Sequence, residues 1–264
     1  MKSNRRMHAV KMGTLFLASV LLAATQATAQ EIRVMSSGGF STPYQEMVPE
    51  FERRTQYKVL TAYGASMGGA PDSIPMRLER DEPADVVILA AAALDLLVEQ
   101  GKVVSGSRVD LVRSKIGMGV RAGTQKPDIS TVDALIRTLL NAESIAYSAS
   151  ASGTYLSTRL FPRLGIAEQV REKSIRVVSE RVGAVVARGE AEIGFQQISE
   201  LLPIEGLDYV GPLPDEVQEV TIFSAGIAAG AKNLQGAREL IEFLASPATI
   251  PAIESAGLEP VASR

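Results

Sequence analysis

The sequence predicts an α/β protein in which parallel sheets are covered by helices. Short apolar segments that are typical of strands alternate with helical segments along the chain after residue 30. No internal repeat and no low-complexity linker interrupts this alternation. Residues 30–264 are enough for one large domain or two modest ones.

The first 29 residues have the pattern of a secretory signal. Four basic residues within the first eleven are followed by an apolar run from Met12 to about Ala24 and by the small residues Ala27-Thr28-Ala29. The alternative is a membrane anchor, but the run is shorter than the ~20 apolar residues that cross a bilayer. We expect export to the periplasm and cleavage near Ala29/Gln30.

The composition of the chain after the signal excludes several kinds of chemistry. His8 is the only histidine, so residues 30–264 contain no His, Cys or Trp. This excludes a Cys or Ser-His nucleophile, the usual zinc ligands and disulfides, and we expect neither metal nor cofactor. These residues carry 23 basic and 30 acidic side chains, a net charge of −7, which argues against a nucleic-acid partner.

The elements follow one another in a β-α rhythm. The strand candidates, short and rich in apolar residues, are Ile32–Met35, Tyr57–Tyr63, Asp85–Leu89, Lys115–Arg121, Ser144–Tyr147, Ile175–Val178, Glu192–Phe195 and the return strand Val220–Ala229. The helix candidates are Tyr44–Arg54, Ser73–Arg80, Ala92–Gln100, Thr131–Asn141, Thr154–Leu164, Val182–Arg188, Leu234–Ala245 and Ile250–Ala256.

Three turns between a strand and a helix are rich in serine and glycine. They are Ser36-Ser37-Gly38-Gly39, Gly64-Ala65-Ser66-Met67-Gly68-Gly69 and the segment Ser148–Tyr155. In α/β folds, ligands bind at the carboxyl ends of strands and against helix N-termini, where free N–H groups favour anions. Any one such turn is explained equally well as an ordinary helix cap. Three of them, divided between the two halves of the chain, predict one shared anion site.

Two stretches carry a family resemblance. RDEPADVVI at residues 80–88 resembles the "GAPADVFISA" stretch of the periplasmic molybdate-binding proteins, and ARGEAEIG at residues 187–194 resembles their "VxxGEADxG" stretch. That family has the type II solute-binding fold and includes a branch of periplasmic aconitate isomerases. The resemblance implies two α/β lobes, each a mostly parallel sheet flanked by helices, with the ligand in the cleft between them. We expect lobe 1 to comprise residues 30–111 and 217–264, and lobe 2 residues 112–216.

The resemblance also implies a binding pocket. The residues that match the family's ligand-binding positions, or lie beside them in the same turns, are Ser36, Ser37, Gly38, Ser66, Met67, Ser152, Gly153, Arg181 and Val182. Where the family has a tyrosine donor, this chain has Gln197. An amide both donates and accepts hydrogen bonds, so Gln197 favours a di- or tricarboxylate over molybdate or tungstate, which offer only acceptors. The alternative is that Gln196 and Gln197 are simply a solvated helix start.

Two classes of function remain open, and the sequence favours the first because it requires nothing beyond an anion-binding site. The first is a monomeric receptor that binds a small anion and delivers it to an ABC-type membrane permease. The second is an isomerase on the same fold, which moves a proton between two carbons of aconitate without a cofactor. Without histidine, its general acid and base would come from Tyr63, Tyr155 or Glu200, and Arg181 would pair with a carboxylate. Each of these four residues could equally be structural.

Overall fold

The computed structural model describes residues 30–261, and the predicted signal segment lies outside them. The strands are β1 (Gln30–Ser37), β2 (Tyr57–Gly64), β3 (Val86–Ala90), β4 (Val109–Ser114), β5 (Ile116–Arg121), β6 (Ile145–Ser148), β7 (Ser174–Val177), β8 (Ile193–Gln197), β9 (Leu207–Pro212), β10 (Thr221–Ile227) and β11 (Glu259–Pro260). The helices are α1 (Gly38–Arg54), α2 (Ile74–Glu79), α3 (Ala91–Glu99), α4 (Val132–Asn141), α5 (Ala151–Tyr155), α6 (Phe161–Arg163), α7 (Ala167–Arg171), α8 (Val182–Ala187), α9 (Ile198–Leu201), α10 (Leu234–Leu244) and α11 (Ile250–Ser255). A π-helical turn, Leu156–Leu160, joins α5 to α6.

The strands form two separate sheets, which confirms the predicted two-lobe α/β architecture. One sheet has the order β11-β4-β10-β3-β1-β2 and the other the order β7-β6-β8-β5-β9. Three neighbouring strands are parallel in each sheet: β3, β1 and β2 in the first, and β7, β6 and β8 in the second. The remaining pairs are antiparallel, so both sheets are mixed where mostly parallel sheets were expected.

Each sheet has its own hydrophobic core. In the first, Phe40 of α1 and Phe223 of β10 are buried together with Leu240 of α10 and Ile253 of α11. The carboxyl-terminal helices therefore pack on the first sheet. The second core is built around β5, β6 and β8. The residue bounds of the lobes stay a prediction, and β4 of the first sheet runs across the predicted boundary after residue 111.

The chain crosses between the sheets after β4 and again before β10. Gln218 ties the first crossing to the second: its Oε1 accepts from the Ile116 N–H at 2.9 Å and its Nε2 donates to the Ile116 carbonyl at 2.9 Å. The two sheets are thus connected at one edge of the cleft that separates them. Within residues 30–261 no helix has the length and apolar character that crossing a membrane requires.

Candidate active site

A cavity of about 320 Å³ lies between the two sheets, where strands β1, β2, β6 and β8 end. Seven of the predicted site residues line it: Ser37, Gly38, Tyr63, Ser152, Arg181, Gln197 and Glu200. Six others do not: Ser36, Ser66, Met67, Gly153, Tyr155 and Val182. Ser148 and Ser150, which belong to the predicted Ser148–Tyr155 turn, also line it, and so do Ser41 and Gln196, which were not among the predicted site residues.

The wall from the first sheet presents neutral hydrogen-bond donors. The Ser66 hydroxyl accepts from the Ala90 N–H at 2.9 Å and donates to Ser37 Oγ at 2.9 Å. Ser37 precedes α1 but makes no side-chain capping bond. Since Ser37 Oγ already accepts from Ser66, its own hydrogen is left to point toward the cavity. Ser66 therefore orients the Ser37 hydroxyl without lining the cavity itself.

Two further predicted residues of this wall point away from the cavity. Ser36 is fully buried, and its Oγ donates to the Ser37 carbonyl at 3.4 Å. Met67 packs against the core cluster that contains Ile74 and Leu78. Gly38 does line the cavity, and a Cβ there would collide with Glu200 Oε1, so this glycine allows the second lobe to approach α1 closely.

The turn before α5 contributes a pair of hydroxyl groups. Ser148 Oγ and Ser152 Oγ are 3.0 Å apart, and the backbone N–H groups of Ser150 and Gly153 approach Ser148 Oγ at 3.4 Å. A Cβ on Gly153 would overlap the Ser148 carbonyl. Gly153 thus shapes the turn, while Ser148 and Ser152 line the cavity.

The wall from the second sheet carries the charge. Burial raises the pKa of Glu200 to about 7, against the opposing effects of the Arg181 cation and a hydrogen bond from Gln196. Arg181 Nη2 reaches across the cleft and donates to Ser41 Oγ of α1 at 2.8 Å. The cavity therefore holds a carboxyl group that changes charge near neutral pH, with a cation close by.

Two expectations for this wall need correction. Val182 was expected among the ligand-binding residues, but its N–H donates to Gln196 Oε1 at 2.8 Å. Gln197, expected to present its amide to the ligand, accepts from Ser114 Oγ at 2.7 Å and donates to Thr221 Oγ1 at 3.0 Å. Successive side chains of a strand point to opposite faces, so Gln197 is directed to the crossing strands and Gln196 to α8 and Glu200.

The two tyrosine candidates differ in position. The Tyr155 hydroxyl donates to the Val217 carbonyl at 2.8 Å and its ring packs on the second core, so the structure does not place it in the site. Burial also raises the pKa of Tyr155, which keeps the phenol protonated. Tyr63 does line the cavity, but about 40% of its surface is exposed.

Comparison with known proteins agrees with this architecture. The family model described as "Bacterial extracellular solute-binding protein" matches residues 32–259. An aconitate isomerase from Pseudomonas sp. is 46% identical over 256 residues, which cover 97% of each chain. The molybdate-binding protein of Azotobacter vinelandii is 24% identical over 244 residues, 89% of this chain and 92% of that protein.

The fold is also that of solved solute-binding proteins. The structure of the periplasmic molybdate-binding protein of Azotobacter vinelandii superposes with a TM-score of 0.70 at 20% identity, covering 88% of this chain and 100% of that one. At this identity the likeness concerns the fold alone. Taken with the family match over residues 32–259, it shows that the chain belongs to the bacterial extracellular solute-binding protein family.

Proposed function

We propose that this protein is an aconitate isomerase, which interconverts trans- and cis-aconitate by moving one proton and the C=C bond. The observation that carries the proposal is Glu200, a cavity-lining carboxyl group whose pKa is raised to about 7 by burial. Such a group can accept a proton and return it near neutral pH. The 46% identity to an aconitate isomerase over nearly the full chain supports the same conclusion.

The reaction needs one group that carries a proton between two carbons. Ionised Glu200 removes a proton from the CH₂ carbon of the substrate, and the electrons of that C–H bond form the new C=C bond. The electrons of the old C=C bond take up a proton at its far carbon. Composition and oxidation state are unchanged, so neither an oxidant nor a reductant is consumed.

The other charged cavity residues are less suited to this role. Glu180 is exposed and pairs with Arg188 at 2.9 Å. Asp72 accepts a long hydrogen bond from Ser179 Oγ at 3.4 Å, between the two lobes. Glu200, by contrast, lines the cavity with a carboxyl group whose pKa is raised by burial. We assign the proton transfer to Glu200.

The remaining cavity groups bind the carboxylates of the substrate. Arg181 bonds to Ser41 rather than to Glu200, so a substrate carboxylate can replace Ser41 in a charge-assisted pair with the guanidinium. The Ser37 hydroxyl and the Ser148/Ser152 pair offer neutral donors on the other sides. Developing negative charge on the substrate is spread over the carboxylate next to the deprotonated carbon, where these donors would stabilise it.

The predicted preference for a carboxylate over molybdate now rests on Glu200 rather than on Gln197. An ionised Glu200 repels any anion, and a tetrahedral oxyanion, which offers only acceptors and no C–H group, gives it nothing in return. A tricarboxylate gives the same carboxyl group a proton to remove.

Family membership favours a second candidate, a receptor that binds a tricarboxylate and passes it to a membrane permease. In both cases the protein would act in the periplasm after removal of residues 1–29. The two differ in turnover, since a receptor releases its ligand unchanged.

The test is to incubate purified residues 30–264 with trans-aconitate and follow the vinyl protons by NMR. The proposal expects cis-aconitate to form, and the same equilibrium mixture to be reached from either isomer without added cofactor. Binding of aconitate without conversion would establish the receptor instead. Tight binding of molybdate with no response to aconitate would contradict both.

A further inference from the structure

A buried amide, Gln196, connects Glu200 to the first turn of α8. Only 3% of its surface is exposed, and both ends of the amide are bonded. Oε1 accepts from the Val182 N–H at 2.8 Å, and Nε2 donates to Glu200 Oε1 at 2.8 Å. Gln196 therefore contacts the carboxyl group to which proton transfer is assigned.

The orientation of this amide is fixed by chemistry. A backbone N–H can only donate, so the oxygen of the Gln196 amide must face Val182 and the NH₂ group must face Glu200. The neighbouring Gln197 differs, because the hydroxyls of Ser114 and Thr221 can each donate or accept and would allow its amide to turn over. The Val182 N–H thus prevents the Gln196 amide from turning over, whereas the Gln197 amide could do so.

The hydrogen bond from Gln196 involves only one of the two carboxylate oxygens of Glu200. Oε1 receives the Gln196 hydrogen bond and lies against Gly38 at the start of α1. Within residues 30–261 no group donates a hydrogen bond to Oε2. Every fully buried side-chain nitrogen or oxygen of these residues has a hydrogen-bond partner, so Oε2 must be accessible from the cavity or the solvent. Oε2 is therefore the oxygen that can meet a ligand.

We infer that Gln196 is a positioning residue for the proposed isomerisation, on which this inference rests: it holds Glu200 by Oε1 so that Oε2 faces the reacting carbons. The Val182 N–H, at the start of α8, holds the Gln196 amide in place. The charged neighbour that also acts on Glu200 is Arg181, whose guanidinium donates to Ser41 and not to Glu200.

The test compares Gln196→Met with the wild type in conversion of trans-aconitate over a range of pH. A misplaced carboxyl group reacts more slowly while the substrate carboxylates still bind, so kcat should fall roughly 10- to 100-fold with KM changed by less than about threefold. The midpoint of the acid limb of kcat/KM should move up, since the hydrogen bond that favours the charged carboxylate is lost.

A second variant, Gln196→Glu, tests the same contact with a side chain of the same shape. Gln196→Glu keeps an acceptor for the Val182 N–H but, when ionised, cannot donate to Glu200 and places a like charge beside it. It should raise the midpoint further and also lower kcat. The control is Gln218→Met, which removes a half-buried amide outside the cavity and should lower thermal stability without moving the midpoint.

The outcomes distinguish the positioning role of Gln196 from the proposed function. Wild-type kcat and an unmoved midpoint in both Gln196 variants would overturn the positioning role and leave the proposed function intact. A wild-type protein that binds aconitate without converting it would overturn the proposed function, and the positioning role with it. A carbon-13 NMR titration of the Glu200 carboxyl group shows directly whether the Gln196 contact affects its protonation.

Discussion

The two walls of the cleft are built from different chemistry. On the first sheet, Ser37 and Ser66 form a neutral chain of hydrogen bonds that ends on the Ala90 backbone. On the second, Arg181 and Glu200 place a cation beside a carboxyl group that titrates near pH 7. Donors that do not change charge suit binding, and a group that does change charge suits proton transfer. The fold brings the two together only because the sheets face each other across one cavity.

The largest expected effect comes from removing the titrating group. Glu200→Gln keeps the shape of the side chain but cannot take a proton, so conversion of trans-aconitate should fall about 10²- to 10⁴-fold in kcat. Steady-state kinetics by NMR measures this. If more than half of the wild-type rate remained, proton transfer would have to be assigned to another residue.

Replacing the cation should affect binding more than turnover. Arg181→Met removes a charge-assisted bond worth about 1.5–3 kcal/mol, so KM should rise roughly 10- to 100-fold. Arg171→Met is the matched control, because Arg171 is an exposed arginine of the same lobe that pairs with Glu168. An equal rise of KM in both variants would show that only the overall charge matters.

The raised pKa of Glu200 also predicts how stability depends on pH. The folded state holds the Glu200 proton up to about pH 7, whereas the unfolded state loses it near the ordinary value of 4.5. Wild-type stability should therefore fall as the pH rises through this window, and Glu200→Gln should not share that fall. The variant should be equally stable at about pH 4 and more stable by about 1–3 kcal/mol at about pH 8. Urea unfolding at the two pH values checks this, and a constant difference between the proteins would contradict it.

The two hydrogen-bonded serines should have different roles, Ser37 in substrate affinity and Ser66 in stability. Ser37→Ala removes the donor that faces the cavity and should weaken substrate binding by about 0.5–1.5 kcal/mol. Ser66→Ala leaves the buried Ala90 N–H without its partner and should lower the free energy of unfolding by about 1–3 kcal/mol. Titration calorimetry and denaturant unfolding of both variants decide whether Ser66 supports the site or contacts the ligand.

The smallest effect is expected at Tyr155. Because its hydroxyl bonds to the Val217 carbonyl outside the cavity, Tyr155→Phe should lower stability by about 0.5–1.5 kcal/mol and leave kcat and KM unchanged. A marked loss of turnover in a stably folded variant would return this tyrosine to the list of acid–base candidates.

Much of the fold could be predicted from local sequence patterns. Helix α4 was predicted over Thr131–Asn141 and is found at Val132–Asn141, with Thr131 as its cap. Strand β4 was missed because only Lys115 separates it from β5, although the two strands belong to different sheets. An apolar pattern does not show where a chain leaves one sheet for another. Strand β9 was missed because Gly211 and Pro212 lie within it.

The site could be predicted less completely, because the sequence does not show in which direction each side chain points. Gln196 and Gln197 are adjacent, polar and almost fully buried. Strand alternation implies that they face opposite sides, but only the tertiary structure shows which side holds Glu200. Glu200 itself was a candidate because it is a carboxylate near a predicted strand-to-helix turn. Its raised pKa depends on burial against α1, which no spacing in the sequence reveals.

The most direct test of the division between the two walls is a calorimetric titration of the Glu200→Gln protein with trans-aconitate, with the same solution then analysed by NMR. The substitution removes negative charge from the cavity and leaves Ser37 and Arg181 in place. We therefore expect trans-aconitate to bind at least as tightly as the wild-type KM indicates, and to be recovered unconverted. Loss of binding, or conversion to cis-aconitate at the wild-type rate, would contradict this account.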